Sequence, residues 1–226
     1  MTQQLLLVKN KLFRVEDMKN ILFFLLLSFS AISGFGNINQ IDMSQILQDG
    51  DLIFHKSQSA QSYAIREATA SEWSHVGIIV KKDNSWFVAE ARNGVEATPL
   101  KQFIARGKNQ EFKIFRFKAY RNAEMRMGLY QALAKYFGKT YDIYFEFNND
   151  RIYCSDLTYK VMKEVTGAEI GIVNKMKDLR LDGPHVQELI KRRLTHLGKV
   201  LNPEEPIVTP ISQMLDTNLE MVFNSY

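Results

Sequence analysis

The chain has 226 residues, a formal net charge of +4, 46% hydrophobic and 24% charged residues, one cysteine and four histidines. That length suits one domain with a substantial core, and the weak, scattered positive charge excludes the concentrated basic stripe of a nucleic-acid-binding protein. A single cysteine excludes an internal disulfide, and with four dispersed histidines it matches no zinc spacing, so neither metal nor cofactor is expected.

At the N-terminus Lys9, Lys11, Arg14 and Lys19 precede an apolar run from Ile21 to Ile32. The run has the length of a signal-peptide hydrophobic region and falls short of the roughly 20 residues that span a bilayer. Ala31/Ser33 or Gly34/Gly36 would serve as the small pair before a cleavage site, and Met18 is an alternative start. With no cysteine nearby, lipoprotein anchoring is not available. Residues 1–36 are therefore expected to be a signal peptide, cleaved or kept as an uncleaved anchor. Residues 37–226 are expected to form one exported domain, periplasmic or extracellular, touching a membrane only through such an anchor. Four basic and two acidic residues fall within 1–36, so the remaining domain carries a charge of only about +2.

Gly50-Asp51-Leu52-Ile53-Phe54-His55 reads as a turn feeding a short strand, and Ser59–Thr69 as a helix. Two strands follow, His75–Lys81 and Trp86–Ala91, separated by the turn residues Lys82-Asp83-Asn84-Ser85. Phe112–Phe117 alternates as a further strand, with Phe112, Ile114 and Arg116 on one face. Asn122 caps a long helix with Met125, Leu129, Leu133 and Phe137 on its inner stripe and Gly138 at its end. Leu157, Val161, Met162 and Val165 recur at helical spacing up to Thr166-Gly167, which places Cys154 in or beside the first turn of that helix. Gly183-Pro184 opens another helix, carrying Val186, Leu189, Ile190, Leu194 and Leu197 and ending at Gly198. Pro203, Pro206 and Pro210 punctuate a loop before a last strand, Leu219–Phe223.

A lone thiol at a helix N-terminus meets unpaired backbone N–H groups and the positive end of the dipole, conditions that favour a thiolate. Such a nucleophile needs a base, and the base needs a partner that fixes its tautomer. His75 opens a strand and is the natural base. If Asp83 and Asn84 form the tip of an even-residue hairpin loop, Glu90 faces Gly77 and sits diagonal to His75 on the same sheet face, within reach of long side chains. An odd loop would turn it to the other face. Glu90 also lies among Val88, Ala89 and Ala91, an expensive site for a carboxylate unless paired.

The other polar residues have plainer readings. His55, a rival base, ends its strand beside Lys56 and is expected at a solvated position. His185, His196 and the run Lys191-Arg192-Arg193 are expected on a polar helix face. Asp51 and Asp142 look like turn or cap carboxylates, and Asp156 like a cap or a complement to the helix dipole.

The series Gly50-Asp51-Leu52-Ile53-Phe54, Ser74-His75-Val76-Gly77-Ile78, Val88-Ala89-Glu90-Ala91, Tyr141-Asp142-Ile143-Tyr144-Phe145 and Tyr153-Cys154-Ser155-Asp156-Leu157 resembles the YiiX/YebB-like group. So do Thr209-Pro210-Ile211-Ser212 and Asn218-Leu219-Glu220. Those proteins are circularly permuted papain-fold members of the NlpC superfamily of cell-wall cysteine hydrolases, and the likeness runs from about Gly50 to the C-terminus. It implies an α/β (α+β) papain-like fold: a small antiparallel sheet packed against helices, with the cysteine at a helix N-terminus. It implies too that Cys154 attacks a carbonyl, His75 is the base and Glu90 orients it, with the Cys154 N–H as half of an oxyanion hole. The implied substrate is a peptide or acyl amide, with peptidoglycan-derived peptides favoured and cleavage through a thioester acyl-enzyme. A lipid acyltransferase or thioesterase using the same Cys–His pair is the alternative, and an apolar pocket beside Cys154 would speak for it. A non-catalytic binding protein would hold Cys154 and His75 too far apart to share a hydrogen bond.

Overall fold

A computed structural model of the chain describes residues 43–119, 123–194 and 198–226. The expected signal segment, the Asn122 cap and His196 lie outside them. The molecule is α/β (α+β), an antiparallel sheet packed against helices.

The elements are α1 (Met43–Ile46), β1 (Leu52–Ser57), α2 (Ala60–Thr69), β2 (His75–Lys82), β3 (Ser85–Ala91), β4 (Val95–Pro99), α3 (Leu100–Ala105), β5 (Gly107–Phe117), α4 (Ala123–Tyr136), α5 (Cys154–Thr166), β6 (Val173–Lys175), a 3₁₀ turn (Met176–Asp178), α6 (Pro184–Leu194), β7 (Pro206–Val208), α7 (Pro210–Met214) and β8 (Leu219–Asn224). Six strands form one sheet in the order β4-β3-β2-β1-β5-β8, each pair antiparallel, while β6 and β7 form a separate ribbon.

Strand alternation divides the core between the two faces of this sheet. Leu52, Phe54, Val76, Ile78 and Val80 pack with Leu129 and Leu133 of α4 and with Leu157 and Val161 of α5. Ile53, Ile79, Val88, Phe112 and Ile114 pack on the other side with Leu100 and Phe103 of α3. Arg116 lies on that second face as expected, where Asp51, buried to 1% exposure, takes two of its N–H groups at 2.7 and 2.8 Å.

Local signals set several helix ends. Ser59 accepts the Ser62 N–H and caps α2, and Gly167, at φ 73°, closes α5 in the left-handed region that favours glycine. Several short elements carry no clear pattern in the sequence, among them β4, α3 and the helix α7, which occupies what read as a proline-punctuated loop. Pro210 at the start of α7 and the Thr209–Ser212 capping box explain that helix after the fact.

Candidate active site

Cys154 is the first residue of α5, after Tyr153 in extended backbone (φ −103°, ψ 169°). In that position its N–H has no acceptor within the helix. The thiol is 2% exposed. Buried polar bonds pin this end of α5 to the C-terminal segment. Ser155 Oγ donates to the Val208 carbonyl at 2.9 Å, and Gln213 Nε2 donates to the Ser155 carbonyl at 3.0 Å while its Oε1 accepts from Thr158 at 2.7 Å. Asp156 makes no cap. It is fully buried, paired with Lys160 at 2.8 Å, and burial pushes its carboxyl up to about 7.

His75 and Glu90 sit on the β2–β3 hairpin in the even-loop register: Lys82 pairs with Ser85 and Ile78 with Ala89. One step further, Gly77 faces Glu90, and a Cβ at Gly77 would lie 3.4 Å from the Glu90 Cβ and collide with Val88. With no side chain there, the imidazole reaches across diagonally, and His75 Nε2 meets Glu90 Oε2 at 2.6 Å. The other carboxylate oxygen, Oε1, accepts from Thr98 Oγ1 at 2.5 Å and from Arg106 Nη2. Burial alone would raise the Glu90 carboxyl, but the bond and charge of His75, then Thr98 and Arg106, hold it down at about 2. For His75 burial acts downward. Hydrogen bonds to Cys154 and Glu90, reinforced by their charges, outweigh it and hold the imidazole up to about 9. With Nε2 committed to Glu90, Nδ1 is the ring nitrogen left for the thiol.

The structure thus brings Cys154, His75 and Glu90 together, and adds Thr98 and Arg106, which the sequence reading missed. Both arrive through β4 and α3, so the only prior signal was that Glu90 had to be paired. His55 departs from its expected solvated position. It lies opposite His75 in the β1–β2 ladder, 2% exposed, stacked on Phe103 at 4.4 Å with its ring 5.1 Å from that of His75. Burial, then the neighbouring His75, pushes it well below the usual histidine range, so it is neutral and a poor rival base. His185 does lie on the surface, bonded through Nδ1 to Glu67 at 2.5 Å. Asp142 is a turn carboxylate as expected, accepting the Tyr144 and Glu146 N–H groups at 2.9 Å, although fully buried.

Arg193 leaves the expected solvated face of α6. It turns inward, donating from Nη1 to the Ile143 carbonyl at 2.6 Å and from Nη2 to Gln61 Oε1 at 2.5 Å. Gln61 Nε2 in turn donates to the Tyr141 hydroxyl at 2.5 Å. Burial, then the electrostatic influence of nearby Cys154, raises the Tyr141 phenol far above its ordinary value and keeps it protonated.

Cys154 lines one hollow and His75 another, and Ile143 lines both. On the Cys154 side the walls are apolar, built from Ala64, Phe145, Tyr153, Met176, Leu181, Val186, Leu189, Ile190 and Ile207. On the His75 side they are polar, with Gln58, Gln61, Arg92, Asn93, Arg106, Thr140 and Tyr141.

A family model described as permuted papain-like amidase enzyme, YaeF/YiiX, C92 family, matches residues 46–223. The Escherichia coli K12 protein YiiX, named as uncharacterized, is 38% identical over 163 residues, spanning 72% of this chain and 79% of that protein. A crystal structure titled as metalloprotein yiiX from Escherichia coli O157:H7 superposes with a TM-score of 0.74 at 36% identity, covering 79% of this chain and 98% of that one. Among the described residues here, no group of three or more His, Cys, Asp or Glu side chains is placed to hold a metal ion.

Proposed function

The chain belongs to the YaeF/YiiX family of permuted papain-like amidases, and on that premise we propose that it cleaves amide bonds through a Cys154–His75–Glu90 triad. The observation that carries the reading is the placement of the imidazole: His75 bonds Glu90 at 2.6 Å through Nε2, which leaves Nδ1 for Cys154, the neighbour that with Glu90 holds the imidazole up.

Glu90 holds the Nε2–H tautomer and stabilises the imidazolium, so Cys154 stands ready as thiolate. The sulfur attacks the amide carbonyl carbon, and the carbonyl electrons move onto oxygen. When the tetrahedral intermediate collapses, the C–N bond breaks and His75 gives its Nδ1 proton to the departing amine, leaving a thioester on Cys154. A water then gives its proton to His75 and its hydroxide to the thioester carbon. The acid leaves and the thiolate–imidazolium pair is restored. The oxyanion is met by the Cys154 N–H and by the Tyr141 hydroxyl, which accepts from Gln61 and so keeps its own proton free to donate.

The favoured substrate is a cell-wall peptide, reached after export directed by the basic and apolar N-terminal segment. A specific observation favours a second reading. The apolar walls beside Cys154 suit an acyl chain, which would make the substrate an acyl amide or acyl lipid processed by the same pair. The polar hollow on the His75 side suits the leaving amine in either case.

The test is alkylation of Cys154 by iodoacetamide as a function of pH, in the unaltered protein and in His75→Ala. Reaction is expected to persist at about pH 6, where a free thiol of about 8.5 is almost wholly protonated, and to be lost in the variant. Equal pH profiles would remove the activated pair. Turnover of a peptide amide against a medium-chain fatty acyl amide then separates the two substrate classes.

A further inference from the structure

We propose that Gln61 and Arg193 are positioning residues that fix the direction of the Tyr141 hydroxyl, holding it as a donor to the substrate's oxyanion. The inference rests on the reading of Tyr141 given above and extends it to two residues on helices that carry none of the triad.

The argument turns on hydrogen-bond polarity along a short relay. An arginine only donates, so the Gln61 atom that faces Arg193 Nη2 must be Oε1, the acceptor end of the amide. The amide NH₂ is then the group that faces Tyr141, and it can only donate. The phenol oxygen is thereby made an acceptor toward Gln61, and its proton must point elsewhere. No described residue accepts that proton. Tyr141 lines the hollow that holds His75, so the hydroxyl has one remaining direction, into the site. Arg193 is itself braced: Nη1 grips the Ile143 carbonyl, two residues after Tyr141, and its guanidinium lies 5.5 Å from the centre of the Phe145 ring. The charge of Arg193 fixes the amide, and the amide fixes the hydroxyl.

Replacing Gln61 by glutamate reverses the last link without changing its shape. A carboxylate at this position still takes the Arg193 N–H but can no longer donate to Tyr141, so the phenol must turn its own proton toward residue 61. Gln61→Glu should therefore behave like Tyr141→Phe in the acylation step. A purely structural role for Gln61 predicts no such loss, because the arginine keeps a partner, now an oppositely charged one.

The probe is p-nitrophenyl octanoate, an activated ester whose leaving group needs no proton, with acylation of Cys154 followed by intact mass. Iodoacetamide alkylation is the control, since displacement at a saturated carbon forms no oxyanion. Tyr141→Phe and Gln61→Glu are each expected to slow acylation by about a hundredfold, the typical effect of losing one oxyanion donor, with alkylation and thermal unfolding unchanged. The double variant should be no slower than either single one. Arg193→Met, which frees the amide to turn over, should show a smaller loss of the same kind and serves if Gln61→Glu does not fold. Normal acylation in Tyr141→Phe would remove Tyr141 as donor, and the relay with it. A slow Tyr141→Phe beside a fast Gln61→Glu and a fast Arg193→Met would overturn the positioning role alone. So would a double variant slowed by the product of the two effects.

Discussion

Glu90 has no exposure to solvent and answers three partners at once, His75, Thr98 and Arg106. Glu90→Gln is therefore expected to cost stability as well as activity: on the order of 3 kcal/mol, as when one member of a buried ionic cluster is removed, and about 10²- to 10⁴-fold in kcat. Urea unfolding and steady-state kinetics read the two effects separately, and unchanged turnover in a folded variant would take Glu90 out of the mechanism. The juxtaposition of His75 and Glu90 was legible in the sequence because an even loop tipped by Asp83-Asn84 sets the hairpin register by simple counting. The environment of His55 was not. Its place at a strand end beside Lys56 suggested a solvated position, whereas the stacking that buries it on Phe103 depends on α3, which has no readable signature. Tyr141 stood in a recognisable run, yet its partners Gln61 and Arg193 come from two helices that only tertiary packing brings together.

Among elements, the β2–β3 hairpin has the tightest requirement. At Gly77 a methyl group would strike Val88 and sit 3.0 Å from the Ala89 carbonyl and 3.4 Å from the Glu90 Cβ. Gly77→Ala should push the strands apart at the point where the imidazole crosses between them. We expect about 1–3 kcal/mol of destabilisation, together with loss of the low-pH alkylation of Cys154. Full reactivity in that variant would mean the crossing tolerates a wider ladder. The strands and the amphipathic helices were readable because period 2 and period 3.6 leave distinct patterns. Short pieces such as β4, α3 and α7 hold too few residues for either period to show. Two of them nevertheless supply site residues, Thr98 from β4 and Arg106 from just past α3.

For the molecule as a whole, the buried titrating groups set a pH profile of stability. His75 is held at about 9 against about 6.5 when free, so its contribution is complete below about 6.5 and is lost as pH rises through 9. Glu90 is held at about 2, so its share is present above about 4.5 and is lost as pH falls through 2. Asp156, raised to about 7, favours the folded state at low pH and loses that effect by about pH 7; Asp51, also raised, acts in the same sense. His55, buried neutral, opposes them, its contribution falling away below about 6.5. Glu90→Gln removes the share that is lost toward acid, so the gap in urea midpoint between that variant and the unaltered protein should be widest above about pH 4.5 and should close as pH falls toward 2. A gap that stays constant across that range would show that the carboxylate is not held ionised.

The anchoring of the cysteine helix by Val208 and Gln213 has a further consequence in the order of synthesis. The hairpin bearing His75 and Glu90 is made before the cysteine, and its register is set by its own turn. The groups that seat the start of the cysteine helix, on Val208 and Gln213, lie 53 and 58 positions further along the chain than Ser155. Histidine and carboxylate thus share one local unit, whereas the thiol depends on contacts made across more than fifty positions. On the proposed mechanism, reactivity waits until synthesis has passed Gln213, well after the cysteine itself has been made.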